Sequence, residues 1–426
     1  MQNNPYKKKF DKLATKYTAL KLHTSNLENI LYNSIFPAKT FILWQLYNKV
    51  KKRVLYILGL VIRLPFSLLY FLFGSIFFLA SKFVDYIIFF NKTPLKVELK
   101  YTELDGVSFI IPSWNNREML IRCITLLDSY LVKEESTIRK EIVVIVNGST
   151  DGTLEILPKL NIATRLIIVN QNINIGFARA INIGITYSNF NYIYLLNDDM
   201  EVRENFFVPL VQYAKKLIIN ECPFFGIASQ IFFKNPRQRR EESGKNYIKP
   251  SFGFINISHY IQKDVLINES ITLYPGGGSS LLNKKVFQKL GMYDYKSYAP
   301  LYCEDLDLGF IGWKLGFPSY FCPNSHVVHY HRTSSTKLNK EPSFFMHKNW
   351  LVFILKNFNT CKTIIPHLFF YSFKILLSRQ YLIYAIYAIK NLPNIFFAKI
   401  KLYRFSILNS DSKLINFPLF EIKLNE

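Results

Sequence analysis

The chain has 426 residues, of which 50% are hydrophobic, 16% aromatic and 19% charged. It is too long for one small core and too apolar for a disordered chain, so two or three folded units of roughly 100–200 residues are expected. The cysteines Cys123, Cys222, Cys303, Cys322 and Cys361 are odd in number and form no C-x-x-C pair. They exclude a disulfide-stapled module and read as reduced thiols, most of them in packing.

The formal net charge is +23, and its distribution says more than its sum. Residues 1–53 carry a net +9 and residues 337–426 another +9, which leaves +5 for the 283 residues between them. Both flanks alternate Lys and Arg with Phe, Leu, Ile and Tyr. That mixture predicts an anionic membrane surface as partner and argues against nucleic acid. Lys7, Lys8 and Lys9 have no apolar run behind them, so no secretory signal is expected and the protein is placed on the cytoplasmic face of a membrane.

Residues 1–100 read as a basic and apolar helical region. Between Arg63 and Lys82 lie 18 uncharged residues, at the short limit of about 17–25 for a spanning helix. Pro65 and Gly74 interrupt the run, and Lys51, Lys52 and Arg53 would send everything downstream across the membrane. A peripheral or monotopic helix pair is therefore expected, with a transmembrane segment at 64–81 and a soluble helical domain as alternatives.

Over residues 101–336 short β-rich runs alternate with helical stretches: VSFII at 107–111, EIVVIV at 141–146, RLIIV at 165–169 and YIYLL at 192–196. Continuous apolar strands separated by helices predict an α/β domain whose mostly parallel sheet is covered on both faces. Ligands of such sheets collect at the carboxyl ends of the strands. Those ends turn polar here, with Pro112, Ser113, Trp114 and Asn115 after the first, Asn147 to Thr153 after the second, and Asn197, Asp198 and Asp199 after the fourth. Asn, Gly, Ser and Asp are also turn residues, so NGSTDGT alone leaves a turn and a site open. The acids Asp198 and Asp199, following an apolar strand, point to a hard divalent cation, Mn²⁺ or Mg²⁺.

A second acidic group, Glu304, Asp305 and Asp307, opens a helix with more carboxylates than a helix cap requires. Upstream, Gly276, Gly277 and Gly278 allow a close backbone approach. His326, His329 and His331 crowd one strand, but without a third ligand at fitting spacing they do not predict zinc. His329 and His331 share a face, and both stand as candidates beside a metal or phosphate. The segment 234–250 is basic and polar, which suits either a solvated loop or a flap. Residues 337–426 return to a basic, amphipathic helical pattern.

Taken in order, VSFIIPSWN, VVIVNGSTDGT, NINIGFARAINIGI, LLNDDM, the GGGSS loop and the EDLDL helix resemble family 2 glycosyltransferases of the GT-A fold, in particular a rhamnosyltransferase-like branch. The resemblance covers roughly residues 105–355. It implies inverting, metal-dependent transfer from a dTDP- or UDP-sugar to a glycan or lipid-linked acceptor in cell-surface polysaccharide synthesis. By the same resemblance Asp199 and His329 are metal-side residues and Asp305 is the catalytic base, with Glu304 and Asp307 orienting the acceptor or the base. Pro112, Trp114, Asn115, Asn147, Ser149, Asp151, Asn174, Gly176, Arg179, Asn182, Asn197 and Asp198 fall on the donor side, and Gly277 and Gly278 on the acceptor side. Val146 stands where the family carries an acid that reads the base, and Asn197 where it often carries Asp. A nucleotide-sugar hydrolase, a non-catalytic sugar-binding relative and a basic nucleic-acid-binding protein are the competing readings.

Overall fold

A computed structural model describes residues 38–91, 103–134, 137–233, 244–251, 254–259, 269–330 and 342–403. The basic segment before residue 38, residues 234–243 and His331 lie outside the described residues. The chain divides into two units, Met1–Phe66 and Ser67–Glu426.

A 54-residue helix, α1 (Ala38–Asn91), replaces the expected helix pair. Its glycine is a packing notch and not a hinge: a Cβ on Gly74 would sit 2.4 Å from a Leu368 methyl. Pro65 lies inside the helix without ending it. By length and composition, Gln45–Ile87 is apolar enough to cross a membrane.

Next come β1 (Gly106–Ser113), α2 (Arg117–Lys133), β2 (Arg139–Asn147), the short α3 (Thr153–Ile156), β3 (Arg165–Gln171), α4 (Phe177–Tyr187) and β4 (Tyr192–Leu196). The four strands pair in parallel in the order β3-β2-β1-β4. Their apolar runs serve two cores because side chains alternate across the sheet. Phe109, Ile111, Val144, Val146 and Tyr194 face the core that includes Leu120 and Leu127 of α2. Ile110, Val143, Ile145 and Leu195 face the opposite core, which includes Ile181 and Ile185 of α4.

The second half of the sheet is built from distant pieces. β5 (Met200–Val202), α5 (Phe207–Ile219), β6 (Gly226–Phe233), the hairpin β7 (Asn246–Ser251) and β8 (Phe254–His259), β9 (Ser270–Thr272), β10 (Ser279–Asn283), α6 (Lys284–Lys289), α7 (Glu304–Lys314) and β11 (Ser319–His329) follow in the chain. β10 lies antiparallel between β4 and β6, and β11 pairs with β6, β5 and β9. The result is a mixed α/β sheet with helices packed against it. The hairpin shows that the basic segment 234–250 ends in ordered structure. Asn246 donates to the Tyr274 carbonyl and accepts from the Tyr274 amide, each at 3.0 Å, anchoring this end beside the glycine loop.

Helices α8 (Pro342–Asn357), α9 (Cys361–Leu377), α10 (Arg379–Lys390) and α11 (Leu392–Tyr403) complete the second unit. They share one core with Leu306 and Phe310 of α7 and with Tyr70, Phe77 and Phe78 of α1. Helices α8 to α11 are therefore packed into the unit that holds the strand ends.

The sharpest helix-to-sheet contact is at Gly184, where a Cβ would meet Ile145 at 2.6 Å and Ile110 at 2.7 Å. Gly184→Val is expected to lower stability by about 1–3 kcal/mol in chemical unfolding. Gly276→Ala, with no atom within 4 Å of the added Cβ, should leave it unchanged.

Candidate active site

The strand ends meet in a ring of loops held by short polar contacts. After β1 the chain turns at Asn115, whose φ of +50° is left-handed. Its amide donates to Ser149 Oγ at 3.0 Å and its Oδ1 accepts from the Thr150 amide at 2.7 Å. Asp151 accepts from the Arg117 amide at 2.9 Å and from the Thr153 hydroxyl at 2.5 Å. Together these bonds hold the Asp151 carboxyl below the usual range despite the opposing effect of partial burial. Asn115, Ser149 and Asp151 thus join the first two loops to each other. Pro112 is buried at the end of β1 and Trp114 is half-buried beside it.

Asn147 carries the ring onward, accepting from the Ile175 amide at 3.0 Å and donating to Asn174 Oδ1 at 3.1 Å. Asn174 Oδ1 also accepts from the Gly176 amide at 2.9 Å. Gly148 must be glycine here: its φ is +71°, and a Cβ would lie 2.3 Å from Asn174 backbone. Gly176 precedes α4, and a Cβ there would meet Pro300 O at 3.2 Å. Arg179 is exposed and stacks over the Tyr295 ring at 5.4 Å. Asn182 departs from the expected donor-side role, because both ends of its amide are taken by the Tyr293 backbone at 2.8 and 3.0 Å.

At the end of β4, Asp198 Oδ2 accepts from Ser113 Oγ at 2.7 Å. Asp199 Oδ1 lies 3.3 Å from His329 Nε2. The pairing of His329 with Met200 across β11 and β5 and the bond from the Tyr330 amide to Asp199 O bring them together. Both side chains are buried, and no group of three or more His, Cys, Asp or Glu residues suited to a metal occurs among the described residues. Asn197 Oδ1 is buried without a hydrogen bond and lies in the same turn. An acid, a histidine and an unspent amide oxygen form a donor set that fits a hard or borderline divalent cation, with the remaining positions left to oxygens of a ligand.

The glycine loop connects this side to the second acidic group. Gly278 O accepts from the Asn197 amide at 3.0 Å, while the Gly277 amide donates to Asp305 Oδ2 at 3.0 Å. The other Asp305 oxygen accepts from the Leu306 amide at 2.8 Å. A Cβ on Gly278 would stand 2.6 Å from Asn197 Nδ2, so this approach requires glycine. Glu304 is buried, and burial together with the Asp305 charge pushes its carboxyl well up. Burial pushes the Tyr293 phenol well up, and the charges of Asp305 and Glu304 add to it.

Asp307 does not face this loop. It is 2% exposed and accepts from Lys356 Nζ at 2.7 Å, Tyr298 Oη at 2.9 Å and Asn357 Nδ2 at 2.5 Å. Lys356 also binds Asp294 at 2.8 Å. Desolvation would lower the Lys356 ammonium's affinity for its proton, but the two carboxylates outweigh it and hold its pKa up. The Asp307 oxygens are occupied in a buried ion pair, which suits the second of the two expected roles, orienting the surroundings of Asp305, and not contact with an acceptor. The sequence clue was available: a lone lysine in the run WLVFILKNF is buried only if paired. The bond of Ser113 to Asp198 and that of the Phe177 amide to the Pro300 carbonyl were not anticipated either.

Residues 108–290 match the family model of glycosyl transferase family 2. A poly-β-1,6-N-acetyl-D-glucosamine synthase of Staphylococcus aureus (strain COL) is 31% identical over 140 residues, which is 33% of this chain and 32% of that protein. The synthase of the same name from Staphylococcus epidermidis is 24% identical over 259 residues, 60% of this chain and 57% of its own. The chain thus spans about a third of the length of the first of these relatives and a little over half of the second. A crystal structure of GalNAc-T7 with UDP, GalNAc and Mn²⁺ superposes with a TM-score of 0.46 and 18% identity, covering 60% of this chain and 48% of that one. Over residues 108–290 the chain is thus similar to glycosyl transferase family 2.

Proposed function

We propose that the protein transfers a sugar from a nucleotide-diphosphate donor to a hydroxyl of a glycan or lipid-linked acceptor, with inversion at the anomeric carbon. The observation that carries this reading is the glycine loop, which binds Asp305 through Gly277 and the Asn197–Asp199 turn through Gly278. One rigid segment thereby fixes a general base and an anion-side centre relative to each other, as displacement at a sugar carbon requires.

In the proposed reaction Asp305 takes the proton of the acceptor hydroxyl as its oxygen bonds to the anomeric carbon. The bond from that carbon to the donor diphosphate breaks, and the electron pair leaves with the phosphate. Asp199 and His329, with Asn197 Oδ1, would hold a divalent cation, Mn²⁺ or Mg²⁺, which when bound neutralises the leaving diphosphate. Only two of these three ligands are ionisable, so the cation's affinity depends on the donor phosphates. Val146 lies in the core facing α2, so base reading falls to Asn147, Asn115 or backbone groups, and dTDP and UDP donors both fit. UDP-N-acetylglucosamine is the first donor to test, because the matched relatives are named as N-acetylglucosamine polymer synthases.

Membrane contact is proposed through apolar surface and not through the charge of the C-terminal flank. Lys348, Lys356 and Lys399 of that flank are buried and bonded inside the protein. Helix α9 instead exposes Ile365, Phe369, Phe373 and Leu377, a stripe at four-residue spacing. The α1 segment after Ser67 exposes Leu68, Leu72, Ile76, Leu79 and Phe83. A donor site on the cytoplasmic side of a bilayer, with these faces in lipid, accounts for both.

Asp305→Asn is expected to lose about 10²–10⁴-fold in transfer from UDP-N-acetylglucosamine while keeping donor affinity. Near-normal turnover in that variant would remove Asp305 as base. Full-length protein should float with neutral phosphatidylcholine vesicles and stay bound in about 1 M salt, where surface charge is screened to a few ångström. Release by salt would contradict the apolar contact.

A further inference from the structure

Helix α8 places four polar residues in two pairs, two helical turns or about 12 Å apart, against the segment that delivers Asp305. In the first pair, the fully buried Asn349 donates through Nδ2 to the carbonyls of Tyr298, Leu301 and Tyr302 at 2.8, 2.8 and 2.9 Å. Lys348 Nζ donates to Ala299 O at 2.6 Å. All three groups around Asn349 Nδ2 are acceptors, so the amide nitrogen and not the amide oxygen faces them. The remaining carbonyl of this segment, Pro300 O, turns the other way and accepts from the Phe177 amide at 3.4 Å, at the start of donor-side helix α4. In the second pair, Lys356 and Asn357 bind Asp307, two residues beyond Asp305.

The segment cannot hold this shape by itself. Tyr302 and Cys303 both have a φ of +75°, a left-handed conformation that costs energy in residues other than glycine. Its carbonyls point inward, where each needs a donor. Asn349 and Lys348 supply those donors at one end, and Lys356 with Asn357 fixes the first turn of α7 at the other. Between them lie Glu304 and Asp305.

We propose that Asn349 and Lys356 are positioning residues for the base. By fixing the 298–307 segment from both ends, they hold Asp305 against the Gly277 amide and Pro300 against α4, so the C-terminal helices form part of the active site. The inference rests on the reading of Asp305 as base. Neither residue is placed to touch the donor, so their loss should misplace the base without weakening donor binding.

The test uses the full chain in lipid nanodiscs with UDP-N-acetylglucosamine as the donor probe and Mn²⁺ present. Asn349→Ser and Lys356→Met are expected to lower kcat by about 30–100-fold with the donor KM changed less than about twofold. Hydrogen exchange should quicken at Gly277 and across 298–306 while β1, β2 and β4 stay protected. Unchanged kcat in a folded variant, or loss of kcat together with strand protection, would overturn the proposal. If Lys356→Met does not fold, Asn349→Ser decides alone, since it leaves the buried charges paired. If the wild-type chain shows no turnover, the transferase reading fails separately. The exchange arm then decides the coupling: unchanged exchange at Gly277 and 298–306 overturns it.

Discussion

The bond from the Gly277 amide to Asp305 is the constraint on which the rest of the site depends. A carboxylate can act as a base toward a sugar acceptor only from a fixed place relative to the leaving group. Here that place is set through backbone, since the residue after Gly277 holds the Asn197–Asp199 turn through its carbonyl. The glycines admit this because any side chain on Gly278 would displace Asn197. The sheet supplies the frame: β10 runs antiparallel beside β4 with Ser279 opposite Leu196, so the loop entering β10 must pass the turn leaving β4.

Helix α7 shows how buried charge is managed. Asp307 and Lys356 lie in the shared core of α7 and α8, where an unpaired charge would be costly, and Asp294 is half-buried beside them. Two carboxylates around one ammonium, with Tyr298 and Asn357 donating as well, satisfy the group. This arrangement also relieves Asp305 of one neighbouring charge that the sequence placed beside it. Glu304 is different: it is buried next to Asp305 with Oε2 unbonded, and its carboxyl is pushed well up. Flanked by one paired acid and one acid disfavoured in its charged form, Asp305 meets less like-charge repulsion than three adjacent carboxylates suggest.

The parallel half of the fold was legible because its strands are short, apolar and separated by amphipathic helices. YIYLL coincides with β4, and VSFII, EIVVIV and RLIIV lie inside β1, β2 and β3. The α/β class and the polar strand ends followed from that pattern. The antiparallel insertion of β10 and the pairing of β11 with three strands depend on contacts far apart in sequence, which local periodicity does not encode. The site residues divide in the same way. The candidates Asp199, His329 and Asp305 were visible as unusual residue types at strand and helix ends. The loop-joining work of Asn115, Ser149, Asp151 and Asn182 was not, because a polar turn residue looks the same whether it faces a ligand or a neighbouring amide. In the basic C-terminal flank, net charge counts lysines without showing that Lys348, Lys356 and Lys399 are consumed inside while Lys362, Arg379, Lys390 and Lys401 are exposed.

The central claim is that these strand ends form a nucleotide-sugar site whose cation is completed by the donor. Calorimetric titration of the full chain with UDP-N-acetylglucosamine and with dTDP, each with and without Mn²⁺, tests it most directly. The account predicts weak binding of Mn²⁺ alone, with Mn²⁺ and nucleotide each strengthening the other's affinity by the same factor. Tight Mn²⁺ binding without nucleotide, or no nucleotide binding with Mn²⁺ present, would contradict it.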